Sequence, residues 1–201
     1  AYAVKTKSPH VMLSGAGAEE FAKEQGLEMV EDNMYFATPK TMEWIEKLKQ
    51  ESKKNGTVGC VVLDKQGNLT AGTSTGGMFK KRWGRIGDSP VIGAYADNNS
   101  CAVSCTGHGE YFIRHAVAFD VCARYKYLKE SVEKAADYII HTELNTNAGN
   151  GGLIAVDKLG NIAMPYNSGG MFRGFLYKEK GSPEIKKGCG IGKKIVVVGE
   201  K

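Results

Sequence analysis

The residue that could most readily take part in a chemical reaction is Thr57, which follows Gly56 in the segment NGTVGCVVLD. A threonine hydroxyl needs a base before it attacks a carbonyl carbon, and the free α-amine of an N-terminal threonine can be that base. Thr57 follows the polar stretch ESKKNG, whose composition is typical of exposed linkers where chains are nicked. Cleavage between Gly56 and Thr57 would create such a nucleophile. Taken alone, however, these residues more often mark only the start of a strand.

A second group of residues could hold a small charged molecule. Arg85 and Asp88 stand three residues apart in a glycine-bracketed loop, and together they match the carboxylate and ammonium of an amino acid. On its own, an exposed Arg–Asp pair of little energetic value is the more common interpretation. Thr106-Gly107 follows an apolar run and could offer a hydroxyl and a backbone N–H to developing negative charge. An ordinary glycine turn is the alternative there.

Other reactive residue types lack the partners that chemistry would need. His108 lies between two glycines, and no second ligand at a metal-site spacing accompanies it or Glu110. His115 is expected on a helix as a packed or exposed residue. Ser89 lacks a GxSxG elbow, and Cys105 is expected to face the interior. We therefore predict no metal site and no cofactor.

Composition indicates one globular domain, residues 1–201, with 42% hydrophobic and 24% charged residues. The net charge of +5 is spread along the chain and not gathered in one stripe, so we predict no nucleic-acid partner. No segment predicts a membrane span or signal peptide, so we expect a cytoplasmic protein, or a periplasmic one if a signal was removed. Five cysteines without a CxxC motif predict a reducing compartment and no disulfide framework.

The elements that would position these residues alternate between helices and hairpins. Apolar spacing predicts helices over 16–25, from 38 onward, over 110–127 and over 128–141. Phe112, Ile113, Val117 and Val121 are expected on one side of the third helix. Strand-like runs predict one hairpin around KQGN, a buried strand in NNSCAVSCTG, and another hairpin around KLGN. KKIVVVGEK predicts an added strand. The pattern favours antiparallel sheets covered by helices, an α+β sandwich.

The two predicted hairpins repeat one another at a constant offset. Asp64-Lys65 and Gly67-Asn68 match Asp157-Lys158 and Gly160-Asn161, and a Gly-Gly-Met triplet follows each hairpin. With only two copies, this indicates a repeated hairpin unit and not a solenoid. The alternative is a favourable turn sequence used twice.

Four motifs occur in order: GTVGCVVLD, GTSTGG, GRIGDSP and SCTGHGE. From about Ser8 to Phe175 the chain resembles the plant-type asparaginase/isoaspartyl peptidase family of N-terminal-nucleophile hydrolases, related to glycosylasparaginases. Asn55-Gly56 resembles the isoaspartyl peptidase branch, because the glycosylasparaginase branch usually has His-Asp there. The resemblance implies an αββα sandwich. It also implies self-cleavage into residues 1–56, the end of an α chain with its linker, and residues 57–201, a β chain.

The resemblance also implies roles for individual residues. Thr57 would be the nucleophile, oriented by Thr75. Thr106 and Gly107 would form the oxyanion hole. In the substrate pocket, Arg85 would bind the α-carboxylate and Asp88 the α-ammonium, with Gly109 closing the amine pocket.

The chain also departs from the family pattern. Members usually carry a long segment before the region that Ser8 matches, with the first strands, a substrate-contacting asparagine and a sodium-binding loop. We therefore expect a sandwich lacking part of the usual N-terminal half, and we carry over no sodium site. Two residues appear missing from the family's GAG-x-YAD pattern at Gly93–Asp97.

Three functional hypotheses follow. The first is an amidohydrolase that releases L-aspartate from isoaspartyl dipeptides or L-asparagine, working as a homo-oligomer of processed α/β units. The second is a non-catalytic relative or assembly subunit. The third is a glycosylasparaginase or a threonine protease acting on larger substrates.

Overall fold

The computed structural model describes residues 2–10, 12–39, 42–43, 56–78, 81, 83–178, 185–190 and 196–199. The chain divides into two compact units, Ala1–Lys53 and Lys54–Lys201. None of the helices in these described ranges is both long enough and apolar enough to cross a bilayer.

The first unit contains helices α1 (Tyr2–Lys7) and α2 (Gly15–Glu24) and a 3₁₀ turn (Asn33–Phe36). The predicted helix over 16–25 is confirmed, and it ends before Gly26, whose φ of 66° is left-handed. Most of the helix predicted from 38 onward, including Trp44, Ile45 and Leu48, lies outside the described residues. The linker 51–55 lies outside them as well.

The described residues of the second unit form three antiparallel sheets. The first is the hairpin of β1 (Thr57–Leu63) and β2 (Leu69–Thr75). The second has four strands in the order β3 (Ala94–Ala96), β4 (Cys101–Gly107), β5 (Gly151–Asp157) and β6 (Ile162–Ala163). The third comprises β7 (Arg173–Lys178), β8 (Ile185–Gly190) and β9 (Val196–Gly199). Both predicted hairpins and the added terminal strand are confirmed.

The helices that follow β4 are shorter than predicted. They are α3 (Gly109–Arg114), α4 (Val117–Ala123), α5 (Val132–Tyr138) and α6 (Leu144–Thr146), with π-helical turns at Arg124–Leu128 and Ile139–Glu143. The single helix predicted over 110–127 is wrong, because Ala116 takes a left-handed φ of 44° and ends the first segment. Ile113 consequently lies 37% exposed and does not share the buried face of Phe112. The next helix begins only after Ser131, whose hydroxyl caps it by accepting from Lys134 N.

Two apolar layers hold the second unit together. Buried side chains of α3–α6 pack on one face of the four-stranded sheet, where Phe112, Ile139, Leu144 and Leu153 are almost fully buried. On the other face, the β1–β2 hairpin packs against β4 and β5 around Leu69. The resulting order of helix, sheet and sheet confirms the α+β class.

The prediction of no disulfide framework is wrong for one pair of cysteines. Cys101 of β4 and Cys122 of α4 form a disulfide, with their Cα atoms 5.5 Å apart. The two residues are 21 positions apart in the chain and meet because α4 packs on the buried face of β4. No spacing motif signals such a pair. Cys105 is buried, as expected.

The repeated hairpin turns use the same hydrogen bonds. Asp64 Oδ1 accepts from Gln66 N and Asn68 N at 2.8 Å, and Asp157 Oδ1 accepts from Leu159 N and Asn161 N at 2.9 Å. The asparagine side chain donates to the other carboxylate oxygen at 2.8 Å in both copies. Each turn therefore closes with its own residues, which explains why the sequence repeats there.

Candidate active site

Thr57, Thr75 and Gly56 form one chain of hydrogen bonds. Thr57 is the first residue of β1 and is paired in register with Thr75, the last residue of β2. Thr57 Oγ1 donates to Thr75 Oγ1 at 3.3 Å, and Thr75 Oγ1 donates to the Gly56 carbonyl oxygen at 2.9 Å. The N–H of Gly77 donates to Thr75 Oγ1 at 3.0 Å. The hydroxyl of Thr75 thus links the candidate nucleophile to the carbonyl of the peptide bond that would be cut.

The end of β2 is fastened to the neighbouring sheet by polar contacts. Thr73 Oγ1 donates to the Gly93 carbonyl at 3.1 Å and lies 2.7 Å from Ser104 Oγ on β4. Ser104 Oγ donates back to Thr73 Oγ1 across that contact, and it also lies 3.2 Å from the carbonyl oxygen of Gly72. These bonds hold the strand end that carries Thr75 against a buried strand, so the position of Thr75 does not depend on the hairpin alone.

A cavity of about 330 Å³ opens at this strand end. One part of its wall is the end of β2 and the turn after it, and another is the loop 85–90. The residues that form the wall are Thr57, Thr73, Ser74, Thr75, Gly77, Met78, Lys81, Arg85, Ile86, Gly87, Asp88, Ser89, Pro90 and Gly107. The candidate nucleophile and the two candidate charged ligands therefore share one concave site.

Arg85 is held by the carboxylate of Glu110, a pairing that no sequence motif indicates. Its Nε and one terminal nitrogen each donate to Glu110 at 2.7 Å, a bidentate pair across 25 residues. The hydrogen bond from Arg85 lowers the pKa of Glu110 to about 2, and the same bond raises the pKa of Arg85. A guanidinium carries five N–H groups, so three remain for another acceptor. The only hint in the sequence is that Glu110 stands in the first turn of a helix.

Asp88 is a buried carboxylate with an unsatisfied oxygen. It is 5% exposed, and in the described part of the chain its Oδ2 has no hydrogen-bond partner. Burial raises the pKa of Asp88 above its ordinary value. An unpartnered buried carboxylate oxygen is costly for folding, and a donor from a ligand would relieve that cost.

Asp88 occupies space that is open only because two of its neighbours are glycines without side chains. A Cβ at Gly109 would lie 2.9 Å from Asp88 N, Asp88 Oδ1 and Gly87 Cα. A Cβ at Gly93 would lie 2.9 Å from Asp88 Oδ2. Gly109 therefore packs behind Asp88, where any side chain would displace the loop.

Gly107 ends β4 in a conformation that only glycine accepts readily. Its φ is 149°, and an added Cβ would lie 2.7 Å from both Gly151 Cα and Phe112 Cε2. Thr106 precedes it in the strand and is half-buried. Two strand ends therefore meet at the cavity, because Gly107 lines it together with Thr75 of β2.

The sequence profile of the asparaginase family matches residues 1–185. The chain belongs to this family. It is 46% identical over 190 residues to the isoaspartyl peptidase of Salmonella typhimurium, an alignment covering 87% of this chain and 60% of that protein. It is 42% identical over 203 residues to the isoaspartyl peptidase of Escherichia coli, covering 89% and 63%. A probable isoaspartyl peptidase/L-asparaginase 2 of Arabidopsis thaliana is 42% identical over 205 residues, covering 85% and 62%. The chain thus spans about three-fifths of these relatives' length.

This member of the asparaginase family brings most of its predicted site residues together. Five of them line the cavity: Thr57, Thr75, Arg85, Asp88 and Gly107. Three lie directly behind it: Gly56 at the hydrogen bond to Thr75, Thr106 beside Gly107, and Gly109 behind Asp88. Arg85 pairs with Glu110 and not with Asp88 in the described residues, so the interpretation as a surface Arg–Asp pair does not hold.

The remaining candidates of the sequence analysis lie outside this arrangement. Cys105 is fully buried, and burial raises the pKa of its thiol well above the ordinary value. His115 Nδ1 lies 3.0 Å from Glu143 on the helical side. Across the described ranges, no three His, Cys, Asp or Glu side chains come together as a metal site.

Proposed function

We propose that this protein is a self-cleaving threonine amidohydrolase that releases L-aspartate from β-aspartyl dipeptides or L-asparagine. The supporting observation is the hydrogen-bond chain from Thr57 through Thr75 to the Gly56 carbonyl, at the edge of a cavity that contains Arg85 and Asp88. The matched relatives carry the names isoaspartyl peptidase and isoaspartyl peptidase/L-asparaginase.

The first reaction is cleavage of the chain itself. Thr57 Oγ attacks the carbonyl carbon of Gly56 while the hydroxyl of Thr75, 2.9 Å from that oxygen, donates to the developing negative charge. The bond from the Gly56 carbon to the Thr57 nitrogen breaks, and the nitrogen takes the proton lost by the hydroxyl. Water then hydrolyses the resulting ester, leaving a carboxylate on Gly56 and a free α-amine on Thr57.

The second reaction uses the amine made by the first. Arg85 binds the α-carboxylate of the substrate with the N–H groups that Glu110 leaves free, and Asp88 binds the α-ammonium. The Thr57 amine takes the hydroxyl proton, and Oγ attacks the side-chain amide carbon while Thr106 and Gly107 donate to its oxygen. The leaving amine departs with a proton, and water hydrolyses the ester to L-aspartate. Gly109 packs behind Asp88 and closes the amine pocket.

The processed pieces, residues 1–56 and 57–201, would stay associated and assemble as homo-oligomers. The outward face of β1 supports such an assembly, because Val58 and Val62 are 67% and 46% exposed on one strand. A partner surface would remove these side chains from water.

Mass spectrometry of the purified protein tests the self-cleavage. Two pieces separated between Gly56 and Thr57 are expected, together with turnover of a β-aspartyl dipeptide or L-asparagine. A Thr57→Ala variant should stay intact and inactive. An intact and inactive parent chain would favour the non-catalytic alternative, and cleavage of proteins without a free aspartyl end would favour the protease.

A further inference from the structure

The cavity wall carries a second positive side chain besides Arg85. Lys81 lines the same cavity, and its Nζ lies 3.5 Å from the carbonyl oxygen of Gly76. An added Cβ at Gly77 would come 2.5 Å from that Nζ, so the ammonium lies directly against the turn that follows β2. No carboxylate within the described ranges forms an ion pair with Lys81. Its charge is available to a ligand.

The charges of the cavity exceed what L-asparagine requires. L-asparagine has one carboxylate and one ammonium, which Arg85 and Asp88 would satisfy. A β-aspartyl dipeptide has a further carboxylate, at the C-terminus of the residue that leaves. Lys81 is the positive group of the described cavity wall that has neither an ion-pair partner nor a proposed role.

The position of Lys81 relative to the reacting atoms agrees with that second carboxylate. Lys81 Nζ reaches the carbonyl oxygen of Gly76, which follows Thr75, and the hydroxyl of Thr75 contacts Thr57 and accepts from Gly77 N. Under the proposed function, Arg85 and Asp88 would bind the aspartyl half of a substrate, and its side-chain amide must reach Thr57. The leaving half would lie on the other side of that amide from the aspartyl half, and Lys81 lines the same cavity as Thr57.

We infer that Lys81 binds the C-terminal carboxylate of the leaving residue, and that this contact favours β-aspartyl dipeptides over L-asparagine. The inference rests on the proposed function and adds a specificity-determining residue to it. A lysine ammonium on a four-carbon stem suits this task, because leaving residues differ in size and the charge must follow their carboxylates.

The test compares three substrates in the full chain: β-aspartyl-alanine, its C-terminal amide, and L-asparagine. Lys81→Met should lower the ratio of kcat/KM for the dipeptide to that for L-asparagine by about tenfold, the loss of one charge-assisted hydrogen bond. Lys81→Arg should restore most of the ratio. The matched control is Lys65→Met, which removes an exposed charge at the far turn of the same hairpin.

The preference for the dipeptide over its C-terminal amide distinguishes carboxylate binding by Lys81 from a structural effect of the substitution. The parent should prefer the dipeptide to its amide, and Lys81→Met should abolish that preference. Equal losses on all three substrates, or an unchanged ratio, would overturn the inference while leaving the proposed function intact. If the parent turns over none of the substrates, the proposed function fails. Calorimetric binding of the dipeptide and its amide to Thr57→Ala, with and without Lys81→Met, then still decides the role of Lys81.

Discussion

At the residue scale, Thr75 uses its hydroxyl fully: it donates once, to Gly56, and accepts twice, from Thr57 and Gly77. Thr75→Ala removes the donor to the carbonyl oxygen of the bond to be cut. We expect self-cleavage to slow by about a hundredfold or more, the usual effect of losing one such donor. The intact fraction, followed over time by mass spectrometry, measures it.

Two variants accompany this measurement. Thr75→Ser keeps the hydroxyl and should cleave at close to the parent rate. Thr70→Ala removes an exposed hydroxyl of the same strand and should change nothing. Slow cleavage in Thr70→Ala would mean that the strand, and not the hydroxyl of Thr75, controls the reaction.

The raised pKa of Asp88 leads to a prediction of how substrate binding depends on pH. Its carboxylate must be ionised to hold an ammonium, and burial raises its pKa above the ordinary 3.8. As pH falls through this raised pKa, Asp88 becomes neutral and affinity is lost. The pKa of Glu110, at about 2, keeps the Arg85–Glu110 pair ionised over that range, so the loss belongs to Asp88.

Calorimetric titration of the Thr57→Ala protein with L-asparagine, whose side chain does not titrate in this range, measures this dependence across acidic pH. Affinity should begin to fall above pH 3.8, the ordinary pKa of aspartate. Affinity that persists below that value would contradict the role of Asp88, as would an Asp88→Asn variant that binds like the parent. That variant should also unfold no more easily, because it removes a buried charge.

At the scale of elements, helix α3 positions Arg85 through Glu110 in its first turn. Glu110→Ala frees the guanidinium to rotate, so its remaining N–H groups no longer face one direction. We expect KM for the substrate to rise about fivefold at nearly unchanged kcat, which corresponds to about 1 kcal/mol of lost positioning.

The control for the steady-state kinetics of Glu110→Ala is the same measurement on Glu133→Ala. Glu133 stands in the first turn of α5, so its removal has the same effect on a helix terminus without touching Arg85. An equal fall in kcat for Glu110→Ala would show that the pair supports the fold of the site and not the orientation of the substrate.

The strands of this chain were easier to predict than its helices, for physical reasons. Runs of β-branched residues around a self-closing turn specify β1 and β2 locally, and the structure confirms both. The break at Ala116 has no glycine or proline to announce it, so the spacing of apolar residues could not locate its left-handed φ. For the same reason, apolar spacing alone assigned Ile113 to the wrong face.

At the scale of the whole molecule, Leu69 connects the two sheets that carry the site. It is 7% exposed and packs with Ala102 and Val156 between the hairpin and the four-stranded sheet. Leu69→Ala should lower the free energy of unfolding by about 2–5 kcal/mol, and it should slow self-cleavage because the hairpin loses its support. Denaturant unfolding measures the first effect, and mass spectrometry the second.

Leu176→Ala is the control for this prediction, since Leu176 is 70% exposed on β7. Its unfolding free energy should stay within about 0.5 kcal/mol of the parent's. If Leu69→Ala instead cleaves as fast as the parent despite a large loss of stability, the hairpin holds Thr57 and Thr75 in position by itself, without support from the four-stranded sheet.

The candidate site was predictable where neighbouring residues in the chain define it, and not where distant residues meet. Motifs around Thr57, Arg85 and Gly107 identified residues that the fold gathers at one cavity. The Arg85–Glu110 pair and the Cys101–Cys122 disulfide join residues 25 and 21 positions apart, on different elements. No periodicity specifies such contacts, because they follow from how helices and strands pack.

The two hairpin turns with matching hydrogen bonds also bear on the order of folding. Each closes within five residues, through bonds from the chain immediately around Asp64 or Asp157. Hairpins with such turns form in about 1–10 μs, faster than contacts between distant segments. Starting at its turn, the first hairpin can form its strand pairs one after another, from Leu63 opposite Leu69 to Thr57 opposite Thr75. The nucleophile would meet its partner early in folding, before the second sheet assembles beneath them.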